Sequence, residues 1–319
     1  MSQPRVVALV LNYNGKDVTL ETFDSLSRVD YEALDLVMID NGCTDDSPEA
    51  VAAAYPKVEQ VRVPENHGIS HGMNYGLRWA LERSYDYVLI LNNDIEVDPQ
   101  MVAEMVRYAE SDPRLGAVGP KAYYYGDRER LWSAGGILRF RESVTRERGD
   151  RELDRGQYDH DQEVDYVNGC AMLVRRRALE ETGLWDATYF LGVEDADWCM
   201  RMKRLGWRCG YAHRARLWHM ISHSTGVYKP FRTFHTGRST AIFVRKYASS
   251  LQWLSVLFWV AVGLPAAFLR ELPRGNQKAA VEKARGMLDG LRAPLRPIEP
   301  ASVVSQADAV SRPSIEASA

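Results

Sequence analysis

Tyr87-Val88-Leu89-Ile90-Leu91-Asn92-Asn93-Asp94-Ile95-Glu96-Val97-Asp98 decides how the rest of the chain is read. Val88 to Leu91 is an unbroken apolar run, the pattern of a strand covered on both faces of a parallel sheet. Polarity then changes abruptly to Asn92-Asn93-Asp94, and Pro99 is expected to open a helix at the first-turn position that tolerates it. Three oxygen-bearing side chains at the carboxyl end of a parallel strand stand where open α/β sheets bind ligands. Taken alone, Asn-Asn-Asp is also an ordinary turn.

Outward from this stretch, strand and helix patterns alternate. Apolar runs at 6–11, 36–39, 58–63 and 117–125 read as further strands, and helices are expected over about 17–28, from 47, over 69–83 and over 99–111. Such alternation indicates an α/β fold with a doubly wound, mostly parallel sheet and right-handed crossovers. Beyond Gly126 the pattern loosens. Residues 131–148 suit a hairpin, and the highly charged stretch 146–165 is expected to be an exposed flap. Strand character returns over 164–174, interrupted at Asn168-Gly169-Cys170. A short helix over 177–182 follows, then a helix starting at Glu194, a strand over 211–219 and a basic helix over 233–246.

Hydrophobic content of 45% and charged content of 26% are globular values, and a net charge of −3 gives no global field for nucleic acid. Cys43, Cys170, Cys199 and Cys209 form no C-x-x-C pair, which fits a reducing cytoplasm better than a disulfide framework or zinc site. The N-terminus enters a strand directly, so no signal peptide is expected. Residues 251–269 carry no charge and meet the minimum length of a membrane span, with Arg245 and Lys246 before them and Arg270 and Arg274 after. Gln252, Ser255, Gly263 and Pro265 favour a helix lying in one leaflet over a single span, with core packing or an oligomer contact as the other readings.

Several residues can carry chemistry. Asn12 and Asp40 end strands, as Asp94 does, and parallel strands gather such ends on one edge. An Asp at the end of the second strand suits a ribose hydroxyl or a base N–H. Asp94 is the best ligand for a hard cation such as Mg²⁺ or Mn²⁺, which takes carboxylates together with substrate phosphates. His219 can add a nitrogen ligand or be structural. Gly68, Gly72 and Gly76 recur every fourth residue, suiting close helix-to-sheet packing or, at Gly68, a ligand's approach. The sequence contains neither the dinucleotide fingerprint nor a P-loop. Glu194, Asp195 and Asp197 place three acids in a first helical turn. Asp197 and Arg201 suit an i,i+4 pair on the surface, while Glu194 or Asp195 could face Asp94 as a general base.

The chain resembles the family 2 glycosyltransferases of GT-A fold, and within them the bacterial rhamnosyltransferase-type enzymes of cell-surface polysaccharide assembly. The resemblance rests on Val-Leu-Asn-Tyr-Asn-Gly at 10–15, Ile-Asp-Asn-Gly-Cys-Thr-Asp-Asp-Ser at 39–47, and Glu-Asn-His-Gly-Ile-Ser-His-Gly-Met-Asn-Tyr-Gly at 65–76. Leu-Asn-Asn-Asp at 91–94, Asn-Gly-Cys-Ala-Met-Leu-Val-Arg-Arg at 168–176, Glu-Asp-Ala-Asp-Trp-Cys-Met-Arg at 194–201 and Trp-His at 218–219 continue it. These stretches span about 5–240 in the family's order.

The resemblance implies a metal-dependent, inverting hexosyltransferase taking sugar from a nucleoside diphosphate. It assigns Asn12, Asn14, Asp40, Asn66, Gly68, Asn92, Asn93 and Arg238 to the nucleotide sugar, Asp94 and His219 to Mg²⁺ or Mn²⁺, Asp195 to the base and Glu194 to its acidic neighbour. Asn-Asn-Asp lacks the first carboxylate of the DxD-type motif, and Ser239 stands where the family often carries Asn after an Arg such as Arg238. The implied donor is dTDP-rhamnose, with a UDP-hexose next. The implied acceptor is a glycan, lipid-linked at the cytoplasmic face of the inner membrane, where the protein is expected to associate peripherally. A homo-oligomer is left open. The expected layout is a catalytic domain over 1–230 (nucleotide-sugar half about 1–125, acceptor half about 126–230), a helical membrane-associating region over 231–292 and a disordered tail over 293–319. A nucleotidylyltransferase would need a glycine-rich basic loop in place of Asn12-Tyr13-Asn14-Gly15. A non-catalytic membrane-assembly module would be expected to lose Asp94 or Asp195, and both are present.

Overall fold

The computed structural model describes residues 3–141, 143–220, 229–295, 298 and 301. The first half alternates β1 (Val6–Asn12), α1 (Lys16–Leu26), β2 (Leu34–Asn41), α2 (Ser47–Ala54), β3 (Glu59–Val63), α3 (Ile69–Leu81), β4 (Tyr87–Asn92), the short β5 (Ile95–Val97) and α4 (Met101–Ser111). β6 (Leu115–Tyr124) and β7 (Asp127–Ser133) follow, then a two-stranded hairpin of β8 (Gly136–Leu138) and β9 (Thr145–Glu147). β10 (Gln162–Glu163), β11 (Ala171–Arg175), α5 (Arg176–Thr182), α6 (Glu194–Arg204) and β12 (Arg208–His219) complete the sheet. α7 (Pro230–Tyr247), α8 (Ser250–Glu271) and α9 (Gln277–Arg292) close the described chain.

The main sheet has the order β10-β12-β6-β11-β4-β1-β2-β3. β1 lies parallel between β2 and β4, and β12 is parallel to β6. β11 runs antiparallel between β4 and β6. The apolar runs are explained by burial on both faces. Val7, Leu9 and Leu11 join one apolar layer with α3 and α6, whereas Val6, Ala8 and Val10 join the opposite layer with α1 and α4. Each Val or Leu side chain among them contributes roughly 1.5–3 kcal/mol relative to exposure.

The register sets the site. Asn12 pairs with Asp40, and Leu11 with Asn92, so the polar strand ends lie level on the carboxyl edge. Because β11 is antiparallel, it starts at that same edge: Ala171 pairs with Leu91, bringing Asn168-Gly169-Cys170 beside Asn92-Asn93-Asp94. α3 approaches β2 closely. A Cβ on Gly72 would stand 2.4 Å from the Asn41 side chain, and one on Gly76 2.3 Å from Ile39. The glycine repeat is therefore helix-to-sheet packing, with Gly68 outside the helix as its N-cap.

Three local expectations are corrected. Pro99 precedes α4, whose N-cap is Gln100. The charged 146–165 stretch is exposed along much of its length but tied down: buried Lys121 pairs with Asp154 at 2.9 Å and also with Asp159, and the Tyr123 hydroxyl donates to Asp154 at 2.6 Å. Asp197 and Arg201 do pair, at 2.9 Å, but Asp197 is fully buried rather than on the surface. Most of the tail beyond 293 lies outside the described residues.

α7 and α9 pack backbone to backbone. A Cβ on Gly286 would fall 1.9 Å from the Phe234 carbonyl oxygen, and one on Gly290 2.3 Å from that of Arg238. α8 begins with a capping box between Ser249 and Gln252 and is the one helix among the described residues long and apolar enough to cross a membrane. Leu251, Leu254, Phe258 and Leu269 on it are exposed, as are Val281, Leu288 and Leu291 on α9. The β8–β9 hairpin rests on α8 through a hydrogen bond from Ser255 Oγ to the Phe140 carbonyl at 2.7 Å, and the Arg141 guanidinium lies 4.9 Å from the Trp259 ring centre.

Candidate active site

The strand ends build the floor of a cleft of about 1030 Å³. Asn12 is wholly buried and acts as a joint. Its Nδ2 donates to Ser47 Oγ at 2.8 Å, and its Oδ1 accepts from Thr19 Oγ1 at 2.9 Å and Asn93 Nδ2 at 2.7 Å. It thus ties β1 to α1, α2 and the 92–94 turn. Asp40 is also nearly enclosed, its Oδ1 accepting the Cys43 N–H at 2.8 Å. Asn14, in left-handed backbone, accepts the Thr44 N–H at 2.8 Å.

Asp94 and His219 are 125 positions apart, yet antiparallel pairing of β5 with β12 puts His219 opposite Ile95. His219 Nε2 then lies 3.0 Å from Asp94 Oδ1, and both side chains are buried. A nitrogen and an oxygen at that spacing suit two adjacent positions around one octahedral cation with bonds of about 2.1 Å. Among the described residues no group of three or more His, Cys, Asp or Glu could hold a metal, so a cation here needs oxygens from a ligand. The pair fits a metal shared with a bound diphosphate.

Asp195 and Glu194 open α6 after Val193, which is in left-handed backbone. Asp195 turns to the start of β11, its Oδ2 accepting the Gly169 N–H at 2.8 Å and its Oδ1 the Ala196 N–H at 2.7 Å. Burial pushes the Asp195 carboxyl above the ordinary range; the Gly169 and Ala196 N–H groups oppose this and the Glu147 charge adds to it. Glu194 is pushed up further, by burial and then by Asp195, and its Oε2 has no hydrogen-bond partner among the described residues. Two buried acids side by side, both raised toward neutrality, suit proton transfer near pH 7.

The structure sorts the expected residues. Asn14, Asn66, Gly68, Asn92, Asn93 and Asp94 line the cleft, whereas the buried Asn12, Asp40, His219, Glu194 and Asp195 are not among its lining residues. Gly68 is where the chain needs glycine, with φ +104 and the Phe190 carbonyl 2.6 Å from an added Cβ. Arg238 is not brought to the cleft: its Nε donates to Asp289 at 2.7 Å and its Nη1 to the Thr188 carbonyl at 2.5 Å. Lys16, at the start of α1, lines the cleft, and two further basic groups stand at the start of α7. Lys229 lines the cleft, and Arg232, more than half buried, acts electrostatically on Asp94 and Glu194. Sequence reasoning missed both, together with Phe190 and Phe231 in the cleft wall. The available signal was Lys229-Pro230-Phe231-Arg232, a Pro-initiated helix start that closely follows His219.

A parallel sheet whose carboxyl edge gathers an Asp–His pair and a buried acid pair, with an antiparallel strand inserted beside them, is a GT-A fold. The chain belongs to the family described as "Glycosyltransferase like family 2", whose model matches residues 4–237. It is 25% identical over 83% of its length, and 92% of the relative's, to an N-acetylglucosaminyl-diphospho-decaprenol L-rhamnosyltransferase of Mycobacterium tuberculosis. It is 24% identical over 69% of its length to a poly-beta-1,6-N-acetyl-D-glucosamine synthase of Staphylococcus aureus, spanning 51% of that protein. Among solved structures, GalNAc-T7 with UDP, GalNAc and Mn²⁺ is similar at TM-score 0.60 and 13% identity, covering 75% of this chain and 48% of that one. The mannosyltransferase PcManGT of Pyrobaculum calidifontis, with GDP-Man and Mn²⁺, is similar at TM-score 0.56 and 19% identity, covering 95% and 79%.

Proposed function

We propose that the protein is an inverting rhamnosyltransferase that moves rhamnose from dTDP-rhamnose to a hydroxyl of a lipid-linked glycan in cell-surface polysaccharide synthesis. The observation that carries the reading is the shared edge: the Asp94–His219 pair at 3.0 Å on the cleft side, and Asp195 anchored to Gly169 one strand away. Likeness to the mycobacterial rhamnosyltransferase over most of both chains supports rhamnose as the sugar moved and a lipid-linked acceptor.

Asp195 accepts the proton of the acceptor hydroxyl. That oxygen bonds to the anomeric carbon as the bond from this carbon to the diphosphate oxygen breaks, its electron pair leaving with the nucleoside diphosphate. One displacement with one base inverts the anomeric configuration. Asp94 and His219 would hold Mg²⁺ or Mn²⁺, which when bound neutralises charge on the departing diphosphate. Lys229 and Arg232 add positive charge on the same side. Asn14, Asn66, Gly68, Asn92 and Asn93 bind the nucleotide sugar, while Asn12 and Asp40 hold the strand ends in position. Glu194 keeps the Asp195 surroundings acidic. α8 seats the protein peripherally on the cytoplasmic membrane face, its exposed apolar side in the lipid and Arg270 and Arg274 at the head groups.

A UDP-hexose donor is the second reading; the match to the poly-N-acetylglucosamine synthase favours a sugar other than rhamnose. Nucleotide release should be measured with Mn²⁺ and, in turn, dTDP-rhamnose, UDP-N-acetylglucosamine and GDP-mannose, with and without a prenyl-diphosphate-linked N-acetylglucosamine acceptor. Acceptor-dependent release from dTDP-rhamnose is expected. Preference for the UDP sugar would replace the donor, and release from none would sink the enzyme reading.

A further inference from the structure

We propose that Glu147, at the end of the β8–β9 hairpin, is a positioning residue for Asp195: it clamps the turn that holds this carboxylate and acts on it as a neighbouring acid. The inference rests on the reading of Asp195 as the base. Nothing in the motifs points to Glu147; the fold brings it there.

Glu147 Oε1 accepts from the Tyr166 hydroxyl at 2.5 Å and from Asn168 Nδ2 at 3.0 Å, and the Ser133 hydroxyl donates to its Oε2. Asn168 in turn accepts the Cys170 N–H on its Oδ1 at 2.8 Å, which fixes the Asn168-Gly169-Cys170 turn. Gly169, in the middle of that turn, donates its N–H to Asp195 Oδ2 at 2.8 Å. The path from Glu147 to Asp195 thus runs by hydrogen bond to the Asn168 side chain, along the backbone turn that this side chain fixes, and by hydrogen bond from Gly169. Tyr166 and Ser133 are themselves buried, so the clamp is enclosed by protein.

The charge balance around Asp195 gives the clamp its second effect. The titratable groups acting on or with it are Glu194 on α6, Glu147 on β9, Tyr166 and Cys170 on the chain approaching β11, and Cys199 one turn further along α6. Every one of these is neutral or negative at pH 7. In a site of low polarizability a neighbouring carboxylate favours protonation of Asp195, while the Gly169 N–H that Glu147 helps to aim favours its ionised form. Glu147 therefore pushes on Asp195 by charge and pulls on it by geometry, and the two effects can be separated by mutation.

The test reads Asp195 directly and needs no substrate. The full-length protein, labelled with carboxyl-¹³C aspartate, is titrated by NMR, with the Asp195 signal assigned by its loss in Asp195→Asn. Glu147→Gln keeps an acceptor for Tyr166 and Asn168 but removes the charge, and should lower the Asp195 midpoint by about half a pH unit or more. Asn168→Ala keeps the charge but frees the turn, and should raise that midpoint. Opposite signs in the two variants are the expected result. A midpoint unmoved in both, or moved the same way in both, overturns the proposal and leaves Glu147 as hairpin packing. Should Glu147→Gln not fold, the direction of the Asn168→Ala shift alone decides the clamp. The underlying reading fails separately: an Asp195→Asn protein that still transfers sugar at the parent rate is not using that base.

Discussion

The first turn of α6 has two sides, and they treat their acids in opposite ways. Asp197 is as deeply buried as any residue in the molecule, and it is surrounded by donors. Arg201 Nε stands 2.9 Å from Oδ2, Lys246 pairs with Oδ1, and the hydroxyls of Tyr189 and Tyr247 donate to Oδ1 at 3.0 and 2.8 Å. Two residues earlier, Asp195 is also buried and, among the described residues, receives two backbone N–H bonds, with Glu194 and Glu147 as its acidic neighbours. Burial alone does not make a carboxyl reactive. A buried acid surrounded by cations is a structural joint, whereas one left without them titrates closer to neutral pH and can exchange a proton.

This contrast can be broken in three ways. The largest effect is expected from Asp195→Asn, which should lower transfer by about 10²–10⁴-fold, the usual range for loss of a general base. Its melting temperature should move by less than about 4 °C. A steady-state assay beside a thermal melt checks both, and an active variant would make Asp195 another structural joint. Next comes Asp197→Ala. It strands Lys246 and Arg201 in the interior and should cost about 3–5 kcal/mol of stability, read by urea unfolding. A loss under about 1 kcal/mol would mean the donors around Asp197 are easily satisfied elsewhere.

The smallest effect is a pH dependence of stability. Glu194 and Asp195 are both held above their ordinary range, so between about pH 4, where unfolded carboxyls titrate, and their raised folded values the native state binds more protons than the unfolded chain. Their contribution to stability therefore declines as pH rises through those raised values. The melting temperature of the parent, relative to a Glu194→Gln/Asp195→Asn double variant, should fall as pH is taken from about 5 to about 9. A gap that stays constant would place these acids in the same class as Asp197.

Much of the fold was legible because its signals are local. The strand runs, the glycine spacing of α3 and the polar strand ends each follow from a few consecutive residues, and the structure has the expected α/β sheet. Asp94 and His219 were legible as separate candidates, and a strand pairing across 125 positions brings them to one place. What could not be read is what depends on distant partners. Asp197 and Arg201 have i,i+4 spacing on any helix; only Lys246, 49 residues on, reveals that the pair is interior. Arg238 and Arg232 lie on the same helix six residues apart, and the packing of α9 decides that Arg238 meets Asp289 while Arg232 is left on the side of the acids. The charged 146–165 stretch looks exposed because charge usually is. Lys121, alone in an apolar strand, was the hint that some of those acids turn inward.

The glycine contacts between α7 and α9 carry a mechanical consequence. Where Gly286 meets the Phe234 carbonyl and Gly290 that of Arg238, backbone stands against backbone, with only the short Ala241 side chain beside Gly290. Backbone packed this closely leaves the joint little room to slide. α7 starts at the cleft, with Lys229 and Arg232, and α9 carries an outward apolar face next to α8. The rows of apolar side chains on the outer helices and the basic wall of the cleft are therefore welded at one angle. Whatever surface those rows come to lie on, the cleft is held over it at a set height and tilt, as a stylus is by a fixed arm.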